Sequence, residues 1–197
     1  VTRGPLLHAF RERWLAGALP LVVEHRRGEL EHVCAAPSLW MGGRELALGL
    51  QESGFLAGQD LHLAVEPGVR WVQGLVAGLR LGAVLHLGSE PQVRAWSLSS
   101  AGVAAPAGAA PSCGPSQAGP GGLPSAELTS AALARAGRCL PGAPVGLEPW
   151  ASTHAPHAAG AALAALYDGA ELHLFADSGT GGPEQRDLTD LALLTLS

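Results

Sequence analysis

Between Asp60 and Leu87 the chain reads Asp60-Leu61-His62-Leu63-Ala64-Val65, then Glu66-Pro67-Gly68, then Val69-Arg70-Trp71-Val72-Gln73-Gly74-Leu75-Val76-Ala77-Gly78-Leu79-Arg80-Leu81, then Gly82-Ala83-Val84-Leu85-His86-Leu87. The first segment is a short apolar run of strand length. The third carries Trp71, Val72, Leu75, Val76 and Leu79 at helical spacing, and the last is apolar again. Gly82 is placed to stop the helix, because glycine tolerates the left-handed conformation that ends many helices. A strand, a helix and a strand within about thirty residues form a βαβ unit, whose strands are parallel.

The same ending recurs downstream. Leu79 to Leu87 and Leu166 to Leu174 share the pattern L-x-x-G-A-x-L-H-L, a helix closing on glycine and turning into an apolar strand. Two such units predict an α/β fold, a mostly parallel sheet flanked by helices on both faces. Upstream, residues 5–16 read as an amphipathic helix with Leu6, Phe10 and Trp14 on one side. Leu19 to His25 and Leu30 to Cys34 flank Arg26-Arg27-Gly28-Glu29 and read as a hairpin. Residues 43–53 read as a helix stopped by Gly54. Downstream, Ser125 reads as the N-cap of a helix over 126–138, Val145 to Leu147 as a strand, 158–168 as a helix, 171–176 as a strand and 184–193 as a last helix, with a strand beginning at Leu194. The whole of 1–197 is expected to be one domain. Within it, 101–125 is dense in Ala, Gly, Pro and Ser and reads as a long loop without helix or central strand.

Composition narrows the function classes. Of 197 residues 47% are apolar and 15% charged, so a sizeable core is expected and disorder throughout is not. The net charge is −5, and all 12 basic residues are Arg, with no Lys. No basic face is offered to nucleic acid. Schiff-base chemistry, a lysine base and a lysine phosphate clamp are excluded outright. Cys34, Cys113 and Cys139 are an odd set without a C-x-x-C, which points away from a disulfide framework and towards a reducing, cytoplasmic setting. No apolar run reaches membrane-spanning length, and the N-terminus has no long apolar h-region, so neither a membrane span nor a secretory signal is expected.

Three further groups of residues carry a family likeness. Gly54-Phe55-Leu56-Ala57-Gly58-Gln59-Asp60 approximates G-x-x-x-G-D with one extra residue, and it precedes an apolar strand, a helix with Trp71 near its start, and Arg80-Leu81-Gly82-Ala83. Ser112-Cys113-Gly114-Pro115-Ser116-Gln117-Ala118-Gly119-Pro120-Gly121-Gly122-Leu123-Pro124-Ser125 leads into Leu128-Thr129-Ser130. His157-Ala158-Ala159-Gly160 opens an Ala/Leu-rich helix that ends before Gly169-Ala170. In this order the three resemble the N-terminal part of the acyl-adenylate-forming superfamily, the AMP-binding, acyl-CoA synthetase-like enzymes.

That resemblance implies ATP or AMP with Mg²⁺ as cofactor, held by a Ser/Thr/Gly-rich phosphate loop closing on Pro-Lys-Gly. The corresponding residues here are Ser112, Gly114, Ser116, Gly121, Gly122, Ser125 and Thr129, with His157 as the family-like histidine. Ser125 stands where the family has lysine and Ser130 where it has histidine. The threonine-rich core, the later acidic motifs and the C-terminal domain with its catalytic lysine have no counterpart. The expectation is therefore a truncated, catalytically inactive adenylation-like domain with no catalytic residues of its own, serving as a binding or structural module. It would bury its apolar edge against a second copy or another protein. The alternative is one subunit of a split carboxylate–CoA ligase, for example o-succinylbenzoate–CoA-like. A third reading is a small-molecule binding module without turnover.

Other candidates weigh less. Ser178-Gly179-Thr180-Gly181-Gly182-Pro183 follows a strand and could cradle an anion, but a strand-to-helix turn needs the same residue types. His62, His86 and His173 each centre a Leu-His-Leu strand and would converge on a metal only if those strands were neighbours. Without an acidic or Cys ligand at matched spacing, hydrogen-bonded core histidines are the better reading. His154 and His157 have Pro156 between them. No G-x-S-x-G follows a strand.

Overall fold

The computed structural model describes residues 5–17, 19–26, 29–87, 95–106, 122–147, 155–175 and 192–193. Its elements in chain order are α1 (Pro5–Leu15), β1 (Leu21–Arg26), β2 (Glu29–Ala35), α2 (Ala36–Glu52), β3 (Asp60–Ala64), α3 (Val69–Leu81), β4 (Val84–Leu87), β5 (Trp96–Ser99), β6 (Gly102–Ala104), β7 (Leu123–Pro124), α4 (Ser125–Leu133), β8 (Pro144–Leu147), α5 (Ala155–Asp168), β9 (Glu171–Phe175) and β10 (Ala192–Leu193).

The fold is α/β, but its strands form two sheets rather than the one expected. The first runs β10-β8-β9-β1-β2 and the second β6-β5-β3-β4-β7. Each has a parallel centre, and antiparallel partners sit at the edges: β2 on β1 in the first, β6 and β7 in the second. The two L-x-x-G-A-x-L-H-L copies therefore end in different sheets. The βαβ reading of 60–87 holds residue for residue through α3. Gly82 takes φ +64° as the left-handed C-cap, and its N–H reaches Gly78 O.

Helix α3 touches β1 and β2 of one sheet and β3 and β4 of the other, and α2 packs along it. Such close approach needs side chains to be missing. A Cβ on Gly78 would lie 2.6 Å from Leu85 Cδ2, and one on Gly43 of α2 would lie 2.6 Å from Val76 Cγ1. A Cβ on Gly74 would be 3.0 Å from both Leu63 and Leu98. Leu61, Leu63, Leu75, Leu85 and Leu98 are fully buried around these notches, each worth about 1.5–3 kcal/mol of transfer free energy.

The remaining helices are fastened by side chains on chain ends. From α1, Arg13 Nε donates to Tyr167 O (2.9 Å) and Trp14 Nε1 to Leu166 O (3.3 Å), satisfying carbonyls in the last turn of α5. Asp168 is 1% exposed, and its carboxylate accepts from Gly137 N and Cys139 N (2.7 and 3.0 Å), closing the turn that follows α4.

Several boundaries differ from the sequence expectation. Helix α2 begins at Ala36 rather than 43, because Pro37 falls in the first turn, where its missing N–H costs nothing. Strand β5 was not expected, and β6 and β7 lie inside the 101–125 stretch read as loop. All three are short, and β6 and β7 are edge strands, the position in which Gly and Pro are tolerated. Helix α4 stops at Leu133, not 138, with Gly137 at φ +81° in the turn beyond. Residues 192–193, expected to end a helix, pair as β10 with β8. The rest of 184–191 and the strand expected at Leu194 lie outside the described residues.

A paired substitution tests the notch packing. Gly78→Val should destabilise the fold by about 1–3 kcal/mol through overpacking against Leu85. Gly49→Ala, where an added Cβ meets nothing within 4 Å, should stabilise by about 0.5–1 kcal/mol through helix propensity. Denaturant titration reads both. Asp168→Asn should cost about 2 kcal/mol, because the amide replaces charge-assisted acceptance from two main-chain donors.

Candidate functional site

The stretch that resembles a phosphate loop leads into β7, which lies antiparallel to the β4 edge, Val84 opposite Pro124 and Leu85 opposite Leu123. Gly122 comes just before β7. A Cβ there would sit 2.9 Å from Val84 Cγ1 and 3.0 Å from His86 Cε1, so glycine is what allows the chain to cross the face of β4. Ser125 is the first residue of α4 rather than its N-cap. That position belongs to Pro124, and no side chain caps the helix. The Ser125 hydroxyl turns back to the end of α3 and donates to Ala83 O (2.7 Å), with Gly78 O at 3.4 Å. The Thr129 hydroxyl donates to Ser125 O (2.7 Å) and that of Ser130 to Ala126 O (3.0 Å).

Of the expected nucleotide residues, then, Gly122, Ser125 and Thr129 share one corner, and the hydroxyl protons of the two serine and threonine side chains go to main-chain carbonyls. Ser112, Gly114, Ser116 and Gly121 lie outside the described residues. His157 is in the first turn of α5; its side chain is not among the described groups. The glycine of its motif has a packing role: a Cβ on Gly160 would lie 3.2 Å from Ala131 Cβ, where α5 crosses α4. The histidine motif is thereby placed beside the helix that follows the loop. The 178–183 loop, His154 and Cys113 also lie outside the described residues.

The three Leu-His-Leu strands are not neighbours as a set. His62 and His86 face each other in register on β3 and β4, both buried, and His86 Nε2 lies 2.7 Å from Asp60 Oδ1. His173 belongs to the other sheet. Among the described residues no three His, Cys, Asp or Glu side chains converge as a metal site. Burial pushes the Cys34 and Cys139 thiols above their ordinary range, with Asp168 adding to the shift at Cys139, so neither is an activated nucleophile.

One polar group was missed from sequence. His25 near the end of β1 and His173 in β9 are hydrogen-bonded, Nε2 to Nδ1 at 2.8 Å, and His173 Nε2 meets Glu171 Oε1 at 3.1 Å. Phe175 stacks on His25 with centroids 4.7 Å apart. This row runs along β9 from its first residue, Glu171, to its last, Phe175, and meets β1 at His25. The signal was present in the alternation of Leu172 and Leu174 with Glu171, His173 and Phe175, but the strand that faces it could not be known. A shallow apolar groove of about 270 Å³ also opens between α1 and α2, lined by Trp14, Leu15, Leu19, Pro37 and Trp40 with Arg11 at its side.

No family model and no curated protein sequence matches the chain. Solved structures do. A fatty acyl-adenylate ligase from L. pneumophila, in complex with acyl adenylate and pyrophosphate, superimposes with a TM-score of 0.63 at 14% identity, covering 87% of this chain and 39% of that one. A Mycobacterium tuberculosis fatty acyl CoA synthetase gives 0.61 at 10% identity over 88% of this chain and 45% of that one. The Klebsiella oxytoca NpsA N-terminal subdomain gives 0.59 at 14% identity over 90% and 55%. The chain has the fold of the N-terminal portion of adenylate-forming ligases, and it spans roughly 40–55% of these solved chains.

Removing the Ser125 hydroxyl tests its role in this corner. Ser125→Ala should cost about 1 kcal/mol, the net worth of one hydrogen bond, read as a lower denaturation midpoint. An unchanged midpoint would mean that the α3–α4 junction does not depend on it.

Proposed function

We propose that this chain is an adenylation-like module that binds or organises rather than activates carboxylates by itself. The observation that carries the reading is Ser125. It stands at the lysine position of the resembling family, and its hydroxyl is spent on Ala83 O. The chain holds no lysine at all. Adenylation needs cationic compensation of developing phosphate charge, worth several kcal/mol in the transition state. A serine bonded to main chain does not supply it.

Thermal unfolding with Mg²⁺ and either ATP or AMP tests this. A ligand at a hundred times its dissociation constant stabilises by about 2.7 kcal/mol. The expected result is no change in midpoint with either nucleotide at millimolar concentration. A clear rise with ATP·Mg²⁺ would sink the reading.

A second reading is favoured by the coverage: the solved relatives are about twice as long as this chain. In it, the module is one part of a carboxylate–CoA ligase whose cationic groups come from another polypeptide segment. Pyrophosphate release on supplying that segment would decide for it. The module reading also names a second copy of this chain as partner, with exposed Leu15 and Leu19 beside the groove as the apolar surface to be covered. Sedimentation should give a dimer mass at micromolar concentration, and a monomer would remove the proposal.

A further inference from the structure

The row Glu171, His173, His25 closes a gap of about 150 residues in sequence, joining the N-terminal hairpin to β9. Strands β1 and β9 are parallel partners, Val23 opposite His173 and His25 opposite Phe175. Alternation puts Leu172 and Leu174, fully buried, on the core face, and Glu171, His173 and Phe175 on the other. His25 lies between two aromatic neighbours, nearly parallel to both His173 (18°) and Phe175 (15°).

The hydrogen bonds dictate the proton count. With the Glu171 carboxylate accepting from His173 Nε2–H, neutral His173 has a bare Nδ1. That atom accepts from His25 Nε2–H, which leaves Nδ1 of neutral His25 without a proton. A proton added at His25 Nδ1 puts a charge against the row. A first added proton is held on His173 against Glu171 (3.1 Å), with the inter-ring bond reversed so that His173 Nδ1–H donates to His25 Nε2; a second proton, at His25, abolishes that bond and sets two N–H groups against each other.

Among the described residues the carboxylate that meets the row is Glu171, which pairs with His173 and not with His25; Glu29 of β2 lies across from Arg26. On β1, Arg26 is engaged by Glu31 of β2 (3.0 Å) and Glu24 (3.8 Å). Glu24 Oε2 also accepts from Val69 N (3.0 Å), and His32 lies across from Glu24, not from His25. Strand β8 places Gly146 opposite His173. The helices packed on the core face bring Arg70, which donates to Ser99 O; Arg80, over the Trp40 ring; and Asp168, bound to Gly137 N.

We propose that the His25–His173–Glu171 row is a proton-operated latch, which holds the N-terminal hairpin to β9 until both imidazoles are protonated and loosens that junction on acidification. Burial, and then the neighbouring His173, lower the proton affinity of His25 below its ordinary 6.5. A depressed group of this kind contributes stability that is complete above the unfolded value and is lost as pH falls from 6.5 through the lower folded value.

Two measurements on the full chain test the latch. The first follows imidazole resonances through a pH titration. His25 should titrate below 6.5; an undisplaced titration of its ring would overturn the proposal. The second compares amide protection factors at pH 7.5 and 5.5. The amides of Val22, Val23, Leu172 and Leu174 should lose protection on acidification while Leu61 and Leu63 of the second sheet keep theirs. His25→Phe, which retains a stacking ring but carries no proton, should abolish that selective loss. Uniform loss across both sheets, or selective loss that persists in His25→Phe, would overturn it. Should His25→Phe not fold, the titration of the unmodified chain still decides.

Discussion

Everything in this fold depends on how closely α3 can lie to its neighbours. The helix touches strands of both sheets and α2 as well, and its closest approaches to β3, β4, β5 and α2 fall at positions without side chains. Gly74 admits Leu63 and Leu98, Gly78 admits Leu85, and Gly43 admits Val76 from the other helix. Each glycine costs helix stability, about 1 kcal/mol relative to alanine. That cost is offset by leucines that would otherwise have nowhere to go. The arrangement also fixes the end of α3. Gly82 turns the chain directly into β4, and the carbonyls left at that turn are the ones Ser125 reaches.

How much of this was legible follows from what each signal encodes. The βαβ unit at 60–87 was readable in full, because apolar runs, helical spacing and a glycine stop are all local. Sheet membership was not. Leu85-His86-Leu87 and Leu172-His173-Leu174 are the same local chemistry, yet one pairs with β3 and the other with β1 and β8. Strand partners are chosen by long-range packing that no local window contains. Strands β5, β6 and β7 are two to four residues long, too short for alternation to emerge from a Ser-, Ala- and Gly-rich background.

The candidate site divides the same way. The family-like order of glycine pattern, loop, and histidine-opened helix was visible in sequence, and the fold agrees with it. The role of Ser125 was visible only as a substitution of residue type. That its hydroxyl is used by the α3–α4 junction needed the structure. Gly160 illustrates the opposite case. In sequence it belongs to a motif beside a histidine, and in the structure its lack of a side chain explains itself by the crossing with Ala131. Asp168 carried a local warning, since a carboxylate at a helix C-terminus opposes the helix dipole. Its compensation by Gly137 and Cys139 comes from a turn some thirty residues earlier.

At the start of α4 a phosphate loop and a helix junction would make competing demands on the same atoms. A phosphate loop needs donors directed at an anion and a cation beside them. The helix junction needs donors directed at the carbonyls left at the end of α3. Lysine at this position would carry three donors on a long stem, able to leave the junction and reach an anion. Serine has one donor on a short stem and is held at the junction. In this chain the helix junction has the serine proton.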